Sequence, residues 1–427
     1  MKKSSSILAS TMVASAIVMQ GTVANAQPAP SAEPMSNEAI RPFGKVHFPE
    51  KDLVDLKQRI LATRWPEKEL VNDQTQGVPL ATMKALANYW ATEYDWRKVE
   101  AKLNALPQFV TEIDGLDIHF IHVRSKHKNA LPLIVTHGWP GSIIEQLKII
   151  GPLTDPTAYG GKAEDAFDIV IPSMPGYGFS GRPAVTGWDP PHIARAWVTL
   201  MKRLGYEKFV AQGGDWGGVI TDLMAAQSPN NLLGIATNFP CTVPAEIENA
   251  AFAGAPAPAG LSAEEKKAYG QLVFSYKHVS YAFFMGTRPQ TLLAVADSPV
   301  GLATIFLDHD QPSLALISRV FAGKSEGLTR DDVLDNLTLT WLTNTAISSF
   351  RLYWENKEGF LGPKGVKVPV VVSAFPDELY QAPRTWAEKA YPNMVYYKKH
   401  DKGGHFAAWE QPALLVDDIR EGFRSLR

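Results

Sequence analysis

A mostly parallel α/β sheet with an inserted helical cap and a helical N-terminal extension is the fold class the sequence predicts. Two observations carry it. From Ile118 onward, short β-rich runs alternate with helical stretches, and each run ends at a Gly- or Pro-rich turn. Most of these runs are almost wholly apolar, the pattern of strands covered on both faces. Between residues 240 and 359 the rhythm breaks into largely helical sequence, then resumes with two more strands. Composition agrees: with 45% hydrophobic residues in a 427-residue chain, a large core can be buried.

In chain order, the first segment predicted is a signal peptide over residues 1–26. Lys2 and Lys3 form a positive start, Ile7 to Met19 is mostly apolar, and Ala24-Asn25-Ala26 offers a cleavage site. The apolar stretch is shorter than the ~20 residues a spanning helix needs. The expectation is export to the periplasm or medium, with cleavage after Ala26 and no stable membrane insertion afterwards. Residues 27–37, rich in Pro, Ala and Ser, read as a linker. Within 38–112, Leu53, Leu56, Ile60 and Leu61 recur at helical spacing until Trp65-Pro66 stops the helix. A second helical tract covers Leu80 to Leu106, interrupted near Tyr94-Asp95, so helices and loops are expected to fill this region.

The core is assigned to 113–239 and 360–427. Leu116 to Val123 alternates like a half-exposed antiparallel strand. Buried strands are predicted at Leu131–Thr136, Asp168–Ile171, Phe209–Ala211, Leu232–Thr237, Val368–Ser373 and Met394–Lys398.

Composition also excludes functions. Lys and Arg number 42 against 44 Asp and Glu, a net charge of −2, which supplies no basic footprint for nucleic acid. The single cysteine, Cys241, rules out an intrachain disulfide or a Cys-rich zinc site and has no assigned role. His119 and His122 lie in a strand-like run and no His-Glu-x-x-His occurs, so no metal is expected.

Three motifs carry chemistry. Phe209 to Gly218 reads as a strand, then Gly-x-Asp-x-Gly, then an apolar helix start. This is a nucleophile elbow with Asp215 where serine is usual. A carboxylate is already ionised at neutral pH and attacks a saturated carbon without a base, forming an alkyl ester that activated water must then cleave. Epoxides or alkyl halides are therefore the expected substrates. Thr136-His137-Gly138-Trp139-Pro140-Gly141-Ser142 follows a predicted strand, where this architecture places oxyanion donors. The backbone N–H groups of Trp139 and Trp216 are assigned to that hole, and His137 is read as structural. Lys402-Gly403-Gly404-His405-Phe406 supplies the general base, His405, in preference to His400. An acid should follow the Val368–Ser373 strand, where Asp377 and Glu378 are adjacent; the other familiar acid position holds Asn238, which carries no charge.

These motifs together resemble microsomal-type epoxide hydrolases of the α/β-hydrolase superfamily, which carry an extra N-terminal domain. Val46-His47-Phe48-Pro49 through Arg64-Trp65-Pro66 is similar to the start of that domain, and the elbow, the His137–Ser142 loop and Ser373–Glu378 with Gly403–Ala408 match at separated places. The resemblance implies an α/β-hydrolase fold and cofactor-independent hydrolysis of a small, largely apolar epoxide by water, with a place in detoxification or aromatic-hydrocarbon catabolism. It makes Glu378 the acid that orients His405. It also implies two cap tyrosines that donate to the epoxide oxygen: Tyr281, in Ser280 to Pro289, and Tyr353, in Arg351 to Asn356. The family's N-terminal membrane anchor is replaced here by a cleavable-looking signal.

Two other functions compete. A haloalkane dehalogenase would use the same aspartate, but a departing halide needs no proton and would leave the tyrosines idle. A non-catalytic exported binding protein of the same fold would not need competent residues at every one of these positions.

Overall fold

The computed structural model describes residues 39–227, 229–324 and 326–427, so the segments read as signal and linker lie outside the described residues. One nine-stranded sheet organises what is described. Its strands are β1 (Arg41–Pro42), β2 (Gln108–Ile113), β3 (Leu116–Val123), β4 (Leu131–Thr136), β5 (Phe167–Pro172), β6 (Phe209–Gly213), β7 (Leu232–Thr237), β8 (Val370–Ala374) and β9 (Met394–Lys399). They run in the order β1-β2-β3-β5-β4-β6-β7-β8-β9. The pairs from β5 through β9 are parallel, and the first three strands join antiparallel. Phe209, Val210, Leu133, Ile134, Val370 and Val371 are fully buried, as expected of central strands with helices on both faces.

Two expectations need correction. Strand pairing begins inside the region read as helices and loops, because β2 folds onto β3 through Asp114-Gly115. Both turn residues have positive φ, 50° and 78°, and Asp-Gly between two β-rich runs is a strong hairpin signal. Nor is β3 half exposed: only Asp117 faces solvent freely, and β3 lies between β2 and β5. Its polar positions are buried with partners. His119 bonds Ser173 Oγ and Gln108 Oε1, both at 3.0 Å, and His122 bonds the Tyr206 hydroxyl at 2.8 Å. Polarity in this strand marks satisfied hydrogen bonds rather than a wet face.

Between β7 and β8 the chain is helical, including Ala263–His278, Ser280–Thr287, Arg330–Leu342 and Ala346–Glu355. The N-terminal helices Leu80–Thr92 and Trp96–Asn104 brace this insertion. Trp90 Nε1 donates to Thr338 Oγ1 at 2.9 Å, and the Tyr94 and Tyr89 hydroxyls donate to Asp335 and Asp331 at 3.0 and 2.8 Å. The braced helix holds the loop after β4, since Asn336 Nδ2 donates to the Pro140 carbonyl at 2.7 Å. A line of contacts thus runs from the N-terminal helices through the cap to the loop predicted to hold oxyanion donors.

Candidate active site

Asp215 sits between the end of β6 and the helix Trp216–Ala226, at φ 51° and ψ −130°. A non-glycine residue reaches this region only when its surroundings impose it. The flanking glycines show how. A Cβ on Gly213 would fall 2.1 Å from the Gly217 carbonyl oxygen, and one on Gly217 would fall 2.0 Å from that of Thr136. The turn is therefore closed backbone on backbone, with the Asp215 side chain as its protruding group.

Asp215 is buried, and the Trp139 N–H donates to its Oδ1 at 2.7 Å. Trp216 opens the following helix, so its N–H has no partner within that helix. His137 uses both ring nitrogens structurally: Nδ1 bonds the Gly138 carbonyl and Nε2 accepts from Met174 N–H, at 3.0 and 3.2 Å. Burial lowers its pKa to about 4, so it stays neutral.

His405 closes the arrangement from the loop after β9. Its Nδ1 lies 2.5 Å from Glu378 Oε1 and its Nε2 3.5 Å from Asp215 Oδ2. Burial would lower the imidazole's pKa, but the charges of Glu378 and Asp215 outweigh it and hold the ring well above 6.5. Burial would likewise raise Asp215, yet His405, His309 and the Trp139 N–H hold its pKa below 3.8. Both shifts favour the imidazolium form of His405 beside an ionised Asp215. Of the two candidate acids, Glu378 reaches the ring, whereas Asp377 is exposed and its backbone bridges to Gly404. His400 is engaged elsewhere, with Asp418 at 2.6 Å. Asn238, dismissed as an acid, still holds this region together: its Oδ1 accepts from Gln212 at 3.0 Å, and its Nδ2 donates to the His405 carbonyl at 3.3 Å.

The cap brings Tyr281 and Tyr353 over this site. Tyr281 stacks on Trp139 with centroids 4.8 Å apart, and Tyr353 meets Trp216 edge-on at 4.8 Å. Their own rings lie 6.2 Å apart. Burial first, with the Asp215 charge adding to it, pushes both phenols well above 10 and keeps them protonated donors. Both line a cavity of about 600 Å³ that also contains Asp215, Trp216, Phe252, Phe283 and Phe360.

Comparison with known proteins gives the chain's family. Residues 40–146 match the family described as Epoxide hydrolase N terminus, and residues 132–263 match the alpha/beta hydrolase fold. The chain is 50% identical to a Stigmatella aurantiaca protein whose name provisionally assigns it as an epoxide hydrolase, over 91% of this chain and 86% of that one. It is 35% identical to Epoxide hydrolase 1 of Oryctolagus cuniculus, covering 90% of this chain and 89% of the relative. The chain belongs to the epoxide hydrolase family of the α/β-hydrolase superfamily. The crystal structure of juvenile hormone epoxide hydrolase from Bombyx mori superposes with a TM-score of 0.79 at 30% identity, spanning 91% of this chain and 96% of the other.

This epoxide hydrolase family member has two buried groups near the site that motif reading missed. His309 lies in the loop between helices Pro299–Leu307 and Gln311–Phe321, its Nδ1 2.8 Å from Asp310 Oδ2 and its ring 4.3 Å from that of His405. In sequence it stands in Leu307-Asp308-His309-Asp310, an ordinary polar loop, so only the folding-back of the cap reveals it. Glu145 is buried behind the loop after β4, and burial raises its pKa to about 8. Its helical-turn context Ser142-Ile143-Ile144-Glu145 resembles any capped turn.

Proposed function

We propose that this protein hydrolyses epoxides to vicinal diols through an ester on Asp215, without a cofactor. The observation that carries this reading is the meeting of an ionised, buried Asp215 with two protonated phenols across one apolar cavity. In this reading the Asp215 carboxylate attacks a ring carbon, the carbon–oxygen bond breaks, and Tyr281 or Tyr353 gives the departing alkoxide its proton. The His405 imidazolium makes good that proton and becomes neutral. Alkylation removes the Asp215 charge that had favoured the imidazolium, which eases the change. Neutral His405, oriented by Glu378, then takes a proton from water as the oxygen attacks the ester carbonyl. The Trp139 and Trp216 N–H groups are assigned to the oxyanion. Collapse releases the diol and restores carboxylate and imidazolium, so charge and protons balance over the cycle.

The two phenols weigh against the dehalogenase reading, since a halide departs without a proton. The substrate is taken to be a largely apolar epoxide, on the aromatic lining of the cavity. Export belongs to the same proposal and rests on the Lys2 to Ala26 pattern alone.

The test is trapping. H405Q treated with styrene oxide should retain one added epoxide mass on the peptide containing Asp215, with diol release lost. D215A should carry no such adduct. Normal turnover by D215A, or an H405Q protein that never acquires the mass, would overturn the mechanism.

A further inference from the structure

Beyond hydrolysis, we propose that Asp215, His309 and His405 form a zinc site whose filling switches the enzyme off. The two imidazoles are prepared in the same way. Each is buried, and each has Nδ1 against a carboxylate: Asp310 at 2.8 Å for His309 and Glu378 at 2.5 Å for His405. The His309 Nε2 is buried without a hydrogen-bond partner, and the His405 Nε2 faces Asp215 Oδ2 at 3.5 Å. A histidine whose second nitrogen is fixed by a carboxylate is the usual zinc-ligand arrangement, because that partner sets the tautomer and makes the ligand nitrogen more basic.

One ligand atom from each of Asp215, His309 and His405 lies within 4.8 Å of the other two. His405 Nε2 and Asp215 Oδ2 are already 3.5 Å apart. Two ligands on one tetrahedral zinc stand roughly 3.4 Å apart, so closure asks for small side-chain rotations. Two imidazole nitrogens with one carboxylate oxygen suit zinc better than calcium or magnesium, which favour all-oxygen shells. Three protein ligands leave a fourth position for water, and binding releases the Nε2 proton of His405 to solvent.

The approach to His309 is open from one side. A separate cavity of about 370 Å³ is lined by Gln271, His278, His309, Asp310 and Glu378. Zinc held by Asp215, His309 and His405 would occupy both the proposed nucleophile and the proposed base, so diol formation and metal occupancy exclude each other. That exclusion rests on the hydrolytic reading above; the site itself rests only on geometry.

Equilibrium dialysis of the tag-free full chain against Zn²⁺ should give one bound ion per chain, with diol formation lost in proportion and restored by EDTA. In H309Q the zinc affinity read by dialysis should fall at least about tenfold, whatever its turnover without metal. D310N guards against a folding failure, because asparagine keeps the oxygen that caps Gln311–Phe321 through the Ser313 N–H. It should weaken zinc binding about 10- to 100-fold. Co²⁺ in place of zinc should give the visible absorption of a four-coordinate ion in the wild type and lose it in H309Q. Absence of stoichiometric zinc, or equal affinity in wild type, H309Q and D310N, would overturn the site. Dialysis and the cobalt spectrum read the metal, so they separate failure of this proposal from failure of the hydrolytic one.

Discussion

The sheet and the cap contribute to the same cavity in opposite ways. Asp215, Trp139, Glu378 and His405 all follow C-terminal ends of parallel strands, where ligand sites of open α/β sheets gather. Their positions are set by backbone packed against backbone. Tyr281, Tyr353 and His309 come from cap helices and a cap loop, and are held by ring contacts. In the proposed mechanism the sheet supplies groups whose charge must be exact in place, while the cap supplies proton donors and the apolar wall. A cap built this way can change its side chains, and so its substrate, without disturbing the charges beneath.

The sharpest way to break this division is to remove the cap's donors alone. Y281F and Y353F delete one hydroxyl each and keep the rings on Trp139 and Trp216. Each should lower kcat/KM for epoxide opening by about 10²-fold, the effect of one lost oxyanion donor, and the double variant by about 10³-fold or more. Near-UV circular dichroism should stay unchanged. Full activity in the double variant would refute the role given to the cap.

The converse test disturbs the sheet side. A Cβ on Gly138 would lie 2.4 Å from both Cβ and Oδ1 of Asp215, so G138A must shift either the loop after β4 or the nucleophile. A displacement near 1 Å at a reacting group costs about 10²-fold in rate. G138A should therefore lose about 10²-fold in kcat, and should also slow formation of the Asp215 adduct measured in an H405Q background. Unaltered kcat would mean that the carboxylate tolerates movement, contrary to the backbone-fixed picture.

Legibility in the sequence follows the same division. The elbow, the His137–Ser142 loop and the His405 loop were readable because backbone closeness demands glycine at fixed offsets, and Gly213 and Gly217 record that demand. The acid could not be chosen between Asp377 and Glu378 from pattern, since both follow β8; only side-chain direction separates them. Tyr281 and Tyr353 stood out through family context, not through periodicity, because 11 other tyrosines of the 13 in the chain have equal claim by composition. His309 and Glu145 were invisible because their burial arises from contacts between segments far apart in sequence. The β2–β3 hairpin is legible at Asp114-Gly115, while the burial of β3 is masked by two histidines that resemble a solvent face.

The smallest effect concerns stability, at Glu145. Its carboxyl has an ordinary value of 4.5 and a folded value of about 8, raised chiefly by burial. Between those values the folded state holds a proton that the unfolded chain has released, so stability must fall as pH rises from about 4.5 to 8 and level off above. Asp222 and Glu410, each raised to about 7 by burial, act in the same direction. E145Q fixes the neutral form and removes only its own share. Its melting temperature should match the wild type near pH 4.5 and exceed it by about 5 °C at pH 8, a gap that opens steadily between. A constant gap across that range would show that Glu145 does not carry its proton in the folded protein. The variant also separates the two regions, because Glu145 lies beneath the loop that presents Trp139 to Asp215. If neutral Glu145 serves only to let that loop pack, E145Q should leave the kcat of the Y281F/Y353F series in the same order.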